Sequence, residues 1–234
     1  MSQDLDPICN EIKNFTFFKD LNKEKILSLC QGRSIIVSKH RDGLFTFGEK
    51  AEYFGLVLTG AYRLSRPTPQ GAESVLYFST PGDVIGAFIM NRPDPVYPVS
   101  TTAMGTSRFL KIPRSTYISQ WMTNASLLGE IQKSLSTRMM HLQAHKSFSG
   151  SAIPQRIAML LLELSGRKNV QPLTLREVPI PLTRKEISDT LDVTVESVIR
   201  VMSQWQKQNV ISSTDHIIQI NNYDFLKSLS ERSD

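Results

Sequence analysis

Cysteine is nearly missing from this chain: Cys9 and Cys30 are the only two in 234 residues. Two thiols this far apart complete neither a zinc site nor an iron–sulfur site within one chain. The plain reading is two unpaired cytosolic thiols. Long apolar runs are missing too. No stretch approaches the ~20 apolar residues of a membrane-spanning helix, so no membrane partner is expected. Phosphate loop, HExxH and nucleophile–base motifs are absent, which argues against an enzyme. The opening MSQDLDPICNEIK is polar and acidic, unlike a secretion signal, so a cytoplasmic location is the expectation. Charge of one sign is scarce where it would be most useful. From Ile153 onward ten Lys/Arg face ten Asp/Glu, and the whole net excess of +5 lies upstream. Bulk attraction therefore does not draw the C-terminal part to a polyanion; individual cations must do so.

What is present is concentrated between Leu182 and Ile220. Thr183 followed three residues later by Glu186 is a capping box that opens a helix. Ile187 and Leu191, four apart, give that helix an apolar face. Asp192 stands at the break, where a residue tolerant of left-handed backbone is useful. Thr194 then caps a second helix, whose Val198, Val201, Met202 and Trp205 form an inward stripe. KQNVISSTDHIIQI follows as a short β-wing. Helix, tight turn, helix and wing is the arrangement that presents one helix to the DNA major groove.

The outer face of the second helix carries Val195, Glu196, Ser197, Ile199 and Arg200. A carboxylate accepts from cytosine N4, an Arg fork engages guanine O6 and N7, and Val195 and Ile199 suit thymine methyls. Ser197 suits a base edge or a phosphate. The plainer alternative for Glu196 and Arg200 is a surface ion pair worth roughly 0.3–0.5 kcal/mol. Thr183, Arg184 and Thr194 are the candidate phosphate contacts, and double-stranded DNA is the expected partner.

LTRKEISDTLDVTVESVIR, with the following KQNVIS, resembles the helix-turn-helix of the CRP–FNR superfamily of bacterial transcription regulators. The resemblance implies that Glu196 and Arg200 read a G·C pair inside each half of a palindrome. Val195 is similar to the FNR/FixK side of the family. Ile199 stands where many FNR-like readers carry Ser, which leaves the outer bases open. RNA polymerase is a partner that the resemblance implies. FNR-type oxygen sensors need four cysteines, so no Fe–S cluster is expected.

Upstream, SIIVSK, GLFTFGEK, YFGLVLTG, AYRLSR, ESVLYFS and SRFLKIP are short β-rich runs. Gly43, Gly48, Gly60, Gly71, Gly82 and Gly86 stand at the expected turns, which points to a jelly roll. FGEKAE, VLTG and PGDVIG resemble the β-roll of cyclic-nucleotide-binding domains in order and spacing. Cyclic-AMP binders continue with Gly-Glu-Leu, whose Glu holds the ribose. Here the chain reads Ala87, Phe88 and Ile89, and Ala87 accepts no hydrogen bond. The Arg-Ser pair that holds the cyclic phosphate is replaced by Tyr97 and Pro98, which offer no cation. A buried cyclic phosphate would lack a charged partner, so the usual cyclic nucleotides are not expected. Gly86, Ala87, Phe88, Tyr97, Pro98 and Val99 remain the effector-pocket candidates. Tyr97–Ala103 also resembles a nitrogen-oxide-responsive branch in which some members bind haem. No haem ligand is identifiable among His40, His141, His145 and His216; haem stays open, and no other cofactor or metal is expected.

Between these halves, Leu128, Ile131, Leu135 and Leu142, with Met139 beside them, follow helical three–four spacing. They are the candidate homodimer interface. SFSGSA (147–152) reads as a hinge, IPQRIAMLLLELS as the helix opening the last domain, and NVQPLTLREVPIP as an extended connector or hairpin. The expected fold class is α+β. It comprises a β-roll over 1–122, a long dimerisation helix over 123–147 and a winged helix-turn-helix over 148–234. The expected function is a homodimeric, sequence-specific DNA-binding regulator with a degenerate nucleotide pocket. The rival readings are a sensing module acting through protein contacts and a haem or nitric-oxide sensor.

Overall fold

Two antiparallel four-stranded sheets form the β-rich half, and a helical half with a small β-wing follows. The computed structural model describes residues 7–15, 17–69, 71, 73–148, 150–166 and 177–231. Contacts divide the chain into two units, Met1–Arg66 with Tyr77–Thr137 and Pro67–Leu76 with Arg138–Asp234. The architecture is the expected α+β, with the β-rich domain preceding the helix-turn-helix.

In the β-rich half, α1 (Pro7–Ile12) and α2 (Lys23–Leu29) precede the strands. The strands are β1 (Ser34–Ser38), β2 (Gly43–Phe45), β3 (Tyr53–Thr59), β4 (Tyr62–Pro67), β5 (Glu73–Ser79), β6 (Val84–Ile85), β7 (Ser100–Ala103) and β8 (Ser107–Pro113). One sheet runs β1-β8-β3-β6 and the other β2-β7-β4-β5. The near-continuous apolar reading of YFGLVLT is explained by burial on both faces: every residue from Phe54 to Leu58 is buried. Phe109 meets Phe45 and Tyr62 edge-on. Phe54 meets Trp121 edge-on at 4.8 Å between centroids.

Trp121 closes this unit. A short helical turn, α3 (Arg114–Thr116), runs into one π-helical turn, Tyr117–Trp121. That turn delivers the indole between Phe54 and Phe18, and its Nε1 donates to Leu29 O at 2.9 Å. Burial of an indole is tolerated when its N–H finds such a partner. Arg108 donates from Nη1 and Nη2 to the two carboxylate oxygens of Glu11, at 2.7 and 3.2 Å, and ties α1 to β8.

Of the turn glycines, Gly48, Gly60, Gly71, Gly82 and Gly86 do have positive φ, whereas Gly43 opens β2 without one. The most constrained glycine is one that the turn pattern does not single out. A Cβ on Gly55, mid-strand in β3, would stand 1.8 Å from the Leu110 carbonyl oxygen.

The long helix α4 (Ala125–Ser147) starts two residues after the expected Thr123. Its apolar residues serve two faces, not one. Leu127 and Ile131, one turn apart, are buried in the β-roll core, with Leu135 packed beside them. Ile131 is only 8% exposed, whereas Leu128, Met139 and Leu142 are 37%, 56% and 40% exposed. Ile131 therefore does not lie on an open seam. A three–four spacing cannot separate two adjacent helix faces, because both share it.

In the second unit, His141 of α4 stands 3.4 Å from Glu163 of α5 (Ile153–Ser165). The linker between those helices includes residue 149, outside the described residues. α5 buries Ile157, Leu160, Leu161 and Leu164. Most of the connector, up to residue 176, also lies outside the described residues. α6 (Arg184–Leu191) and α7 (Val195–Lys207) follow, then the wing strands β9 (Ile211–Thr214) and β10 (Ile217–Ile220), and α8 (Tyr223–Ser230), which packs on α5. The connector's last residues run along the wing. Val178 N–H donates to Ile218 O at 2.8 Å and Leu182 N–H to His216 O at 2.9 Å.

Replacing Gly55 by Ala should destabilise the β-rich half by about 2 kcal/mol or more, since β3 and β8 have no room to part. Urea denaturation followed by tryptophan fluorescence measures this. An unchanged midpoint would mean that the strands separate freely.

Candidate nucleic-acid interface

The helix-turn-helix is built from local chemistry. The Thr183 N–H and hydroxyl both donate to a Glu186 carboxylate oxygen, at 2.7 and 2.8 Å, while Glu186 N–H returns a bond to Thr183 Oγ1 at 3.1 Å. The capping box is complete, and its carboxylate is buried. At the other end of α6, Asp192 takes the left-handed conformation at φ 52°. Val193 N–H then reaches back to Ser188 O at 3.1 Å. Thr194 caps α7 by accepting from Ser197 N–H at 3.3 Å and donating its hydroxyl to Ser197 Oγ at 3.0 Å. Val198, Val201, Met202 and Trp205 are buried, as the stripe predicts.

This leaves a defined outer face. Glu196, Ile199 and Arg200 are exposed, and Val195 and Ser197 are half-buried. Glu196 and Arg200 form no ion pair with each other or with any other described residue. The plainer reading of that pair is thus not realised, although the equivalent i,i+4 pair on α6, Lys185 with Asp189, is formed. Lys185 has its charge already engaged by that carboxylate. Arg184 differs: half-buried, with no acceptor among the described residues, it is pushed below its ordinary pKa by burial. A desolvated cation of this kind is completed by an anion. Backbone donors at helix N-termini, such as those of α6 and α7, also favour anions.

Two features were not read from the sequence. The wing turns through Asp215 and His216, both at positive φ, which leaves His216 exposed at its tip. Arg156 of α5 donates from Nη2 to the carbonyl of Leu191 at the end of α6.

In the β-roll, the effector-pocket candidates separate. Gly86, at φ 83°, leads into a 3-10 turn of Ala87–Ile89 that buries Ala87 and Ile89 and turns Phe88 outward. Tyr97 is buried, stacked on Phe45 with centroids 4.3 Å apart. Its hydroxyl donates to Tyr53 O at 2.7 Å, and burial pushes its pKa well up, so it stays neutral. Pro98 and Val99 are half-buried beside it, Val99 against the core. Nearby, Lys111 Nζ stands 4.0 Å over the Tyr53 ring, a cation that the sequence did not place there. Inside the roll the Thr101 hydroxyl is buried without a hydrogen-bond partner.

Cys9 and Cys30 are buried near α1 and α2, and burial raises both pKa values, that of Cys30 to about 12. Protonated thiols in apolar surroundings are poor metal ligands. Among the described residues no group of three or more His, Cys, Asp or Glu could hold a metal ion. No described helix is long and apolar enough to cross a membrane. His141 faces Glu163, and the side chain of His145 lies outside the described residues.

The profile of the cyclic nucleotide-binding domain matches residues 37–124, and that of the Crp-like helix-turn-helix domain matches residues 155–229. The chain belongs to the CRP–FNR family. Its relatives include the transcriptional activator protein FnrA of Stutzerimonas stutzeri, 25% identical over 78% of this chain and 74% of that protein. The nitrogen fixation regulation protein FixK of Azorhizobium caulinodans is 26% identical over 72% of this chain and 67% of its own length. Among solved structures, FixK2 from Bradyrhizobium japonicum shares the fold at a TM-score of 0.73. Its identity is 23%, and the match covers 86% of this chain and 99% of FixK2. As a CRP–FNR protein the chain is a transcription regulator with a DNA-binding helix-turn-helix; the family is not one of enzymes.

Truncating Thr183 to Ala removes one half of the capping box and should cost about 1 kcal/mol of domain stability. Chemical denaturation monitored at Trp205 checks this. A change below a few tenths would mean that Glu186 alone holds the helix start.

Proposed function

We propose that this protein is a homodimeric regulator that binds a palindromic duplex site, with one α7 in each of two successive major grooves. The observation that supports this most directly is the unpaired Glu196–Arg200 couple on the exposed face of a fully capped second helix. Both side chains are free to meet base edges, Glu196 at cytosine and Arg200 at guanine, and Val195 and Ile199 provide apolar surface for thymine methyls. Arg184, with its uncompensated charge, and the helix-start residues Thr183 and Thr194 serve the phosphates. Ser197, bonded to Thr194, orders the first turn of α7 and lends its hydroxyl to base or backbone.

Dimerisation uses the exposed stripe of Leu128, Met139 and Leu142, with the half-buried Leu135 at its margin. A two-fold protein suits a two-fold site. The β-roll does not take a cyclic nucleotide in the family's usual way, because Tyr97 fills its position with a ring and commits its hydroxyl to Tyr53. Nor do the residues suit an iron–sulfur cluster, which takes four ligands. The regulator works in the cytoplasm, where the promoter-bound dimer meets RNA polymerase.

Purified protein is tested by selection from a random duplex pool at one stated salt concentration, with no ligand added. Enrichment of a palindrome with a G·C pair in each half supports the reading. Absence of any enrichment, also with haem under nitric oxide, favours a sensing module that acts through protein contacts. On the selected duplex, Arg200→Ala should cost roughly 1–3 kcal/mol and relax one base position. Equal loss on all sequences would make Arg200 a phosphate clamp. Leu142→Glu should shift the protein from dimer to monomer in sedimentation and weaken half-site cooperation; an unchanged dimer would place the interface elsewhere.

A further inference from the structure

We infer that Arg156 is a positioning residue for DNA recognition: from α5 it fixes the end of α6, and with it the direction in which α7 leaves the turn. This rests on the regulator reading above and adds to it a residue that touches no base.

The last carbonyls of any helix have no partner within it. In α6 the chain bends at once, through left-handed Asp192, and the N–H groups of Asp192 and Val193 both return to Ser188 O. No backbone N–H among the described residues reaches the Leu191 carbonyl across the turn. Its partner is the Arg156 guanidinium. The bond is charge-assisted, and the cation stands where the α6 dipole is negative. Asp192 is a strained choice for a left-handed position that glycine fills at no steric cost. A tie from a second element compensates for that strain. Arg156 is itself well anchored, since Gln155 and Ile157 on either side are buried in the unit's interior. Three residues separate the tied carbonyl from Val195, the first residue of α7. A small rotation at Leu191 therefore becomes a displacement of Glu196 and Arg200 relative to the bases. Lysine could supply the charge but not the planar fork.

The test uses the full chain with Arg156→Gln and Arg156→Lys, on the duplex selected by the unaltered protein and on a scrambled duplex, across a salt series. Amide exchange at Asp192 and Val193 is followed in parallel. For the Gln variant, affinity for the selected duplex should fall roughly 10–100-fold, the scale of one misplaced base contact. Affinity for the scrambled duplex and the slope of log affinity against log salt should stay unchanged. The two turn amides should exchange faster. The Lys variant, which keeps a donor and the charge, should recover part of the specificity. It also serves as the test if the Gln variant does not fold. An equal loss on both duplexes, with the salt slope reduced by about 1, would overturn the proposal and make Arg156 a phosphate contact. Unaltered specificity or unaltered turn exchange would overturn it as well. If the unaltered protein prefers no duplex, the regulator reading fails, and amide exchange alone then decides whether Arg156 holds the turn.

Discussion

Three residues, Asp192 to Thr194, must reverse the chain between two helices without leaving backbone groups bare, and the exposed face of α7 depends on how they do it. The end of α6 and the start of α7 both bring orphan amides and carbonyls to that point. Each is satisfied by a different device: a left-handed aspartate, a threonine cap and a guanidinium from α5. Once the turn is fixed, the buried stripe of α7 locks its rotation, and the residues left outside are the candidate readers. Recognition chemistry is thus a remainder, set by what packing and capping do not use.

The same logic orders the β-rich half. The strands most heavily buried, β3 and β8, approach each other closely enough that Gly55 has no space for a methyl group. Tyr97, at the position where the family resemblance puts a phosphate-binding pair, is committed to stacking and to a backbone carbonyl. At this position the chain places an aromatic ring with its hydroxyl already bonded, not a cation.

What the sequence made legible was local in origin. Thr183 and Glu186 are three residues apart, so their reciprocal caps could be read without coordinates. Thr194 and the α7 stripe were legible for the same reason. The strand β7 was not, because the polar STTA carries too little periodicity; yet it sits centrally in its sheet, between β2 and β4. Spacing alone groups Ile131 with the candidate dimer-interface residues, because it does not say which neighbouring face meets the core. Arg156 with Leu191 and Lys111 with Tyr53 join positions 35 and 58 residues apart in the numbering, and nothing in either local pattern announces them. The pairing state of Glu196 and Arg200 was likewise undecidable, since i,i+4 spacing permits a salt bridge but does not require one.

The stripe of Leu128, Met139 and Leu142 is narrow, because the helix spends its neighbouring face on its own β-roll. In the proposed dimer, a pairing surface of that width would hold two copies together less firmly than a helix free on all sides. Where assembly and site occupancy are linked in this way, the fraction of a promoter occupied rises with more than the first power of the protein's abundance. Modest changes in synthesis or turnover of the chain would then act as a signal in their own right.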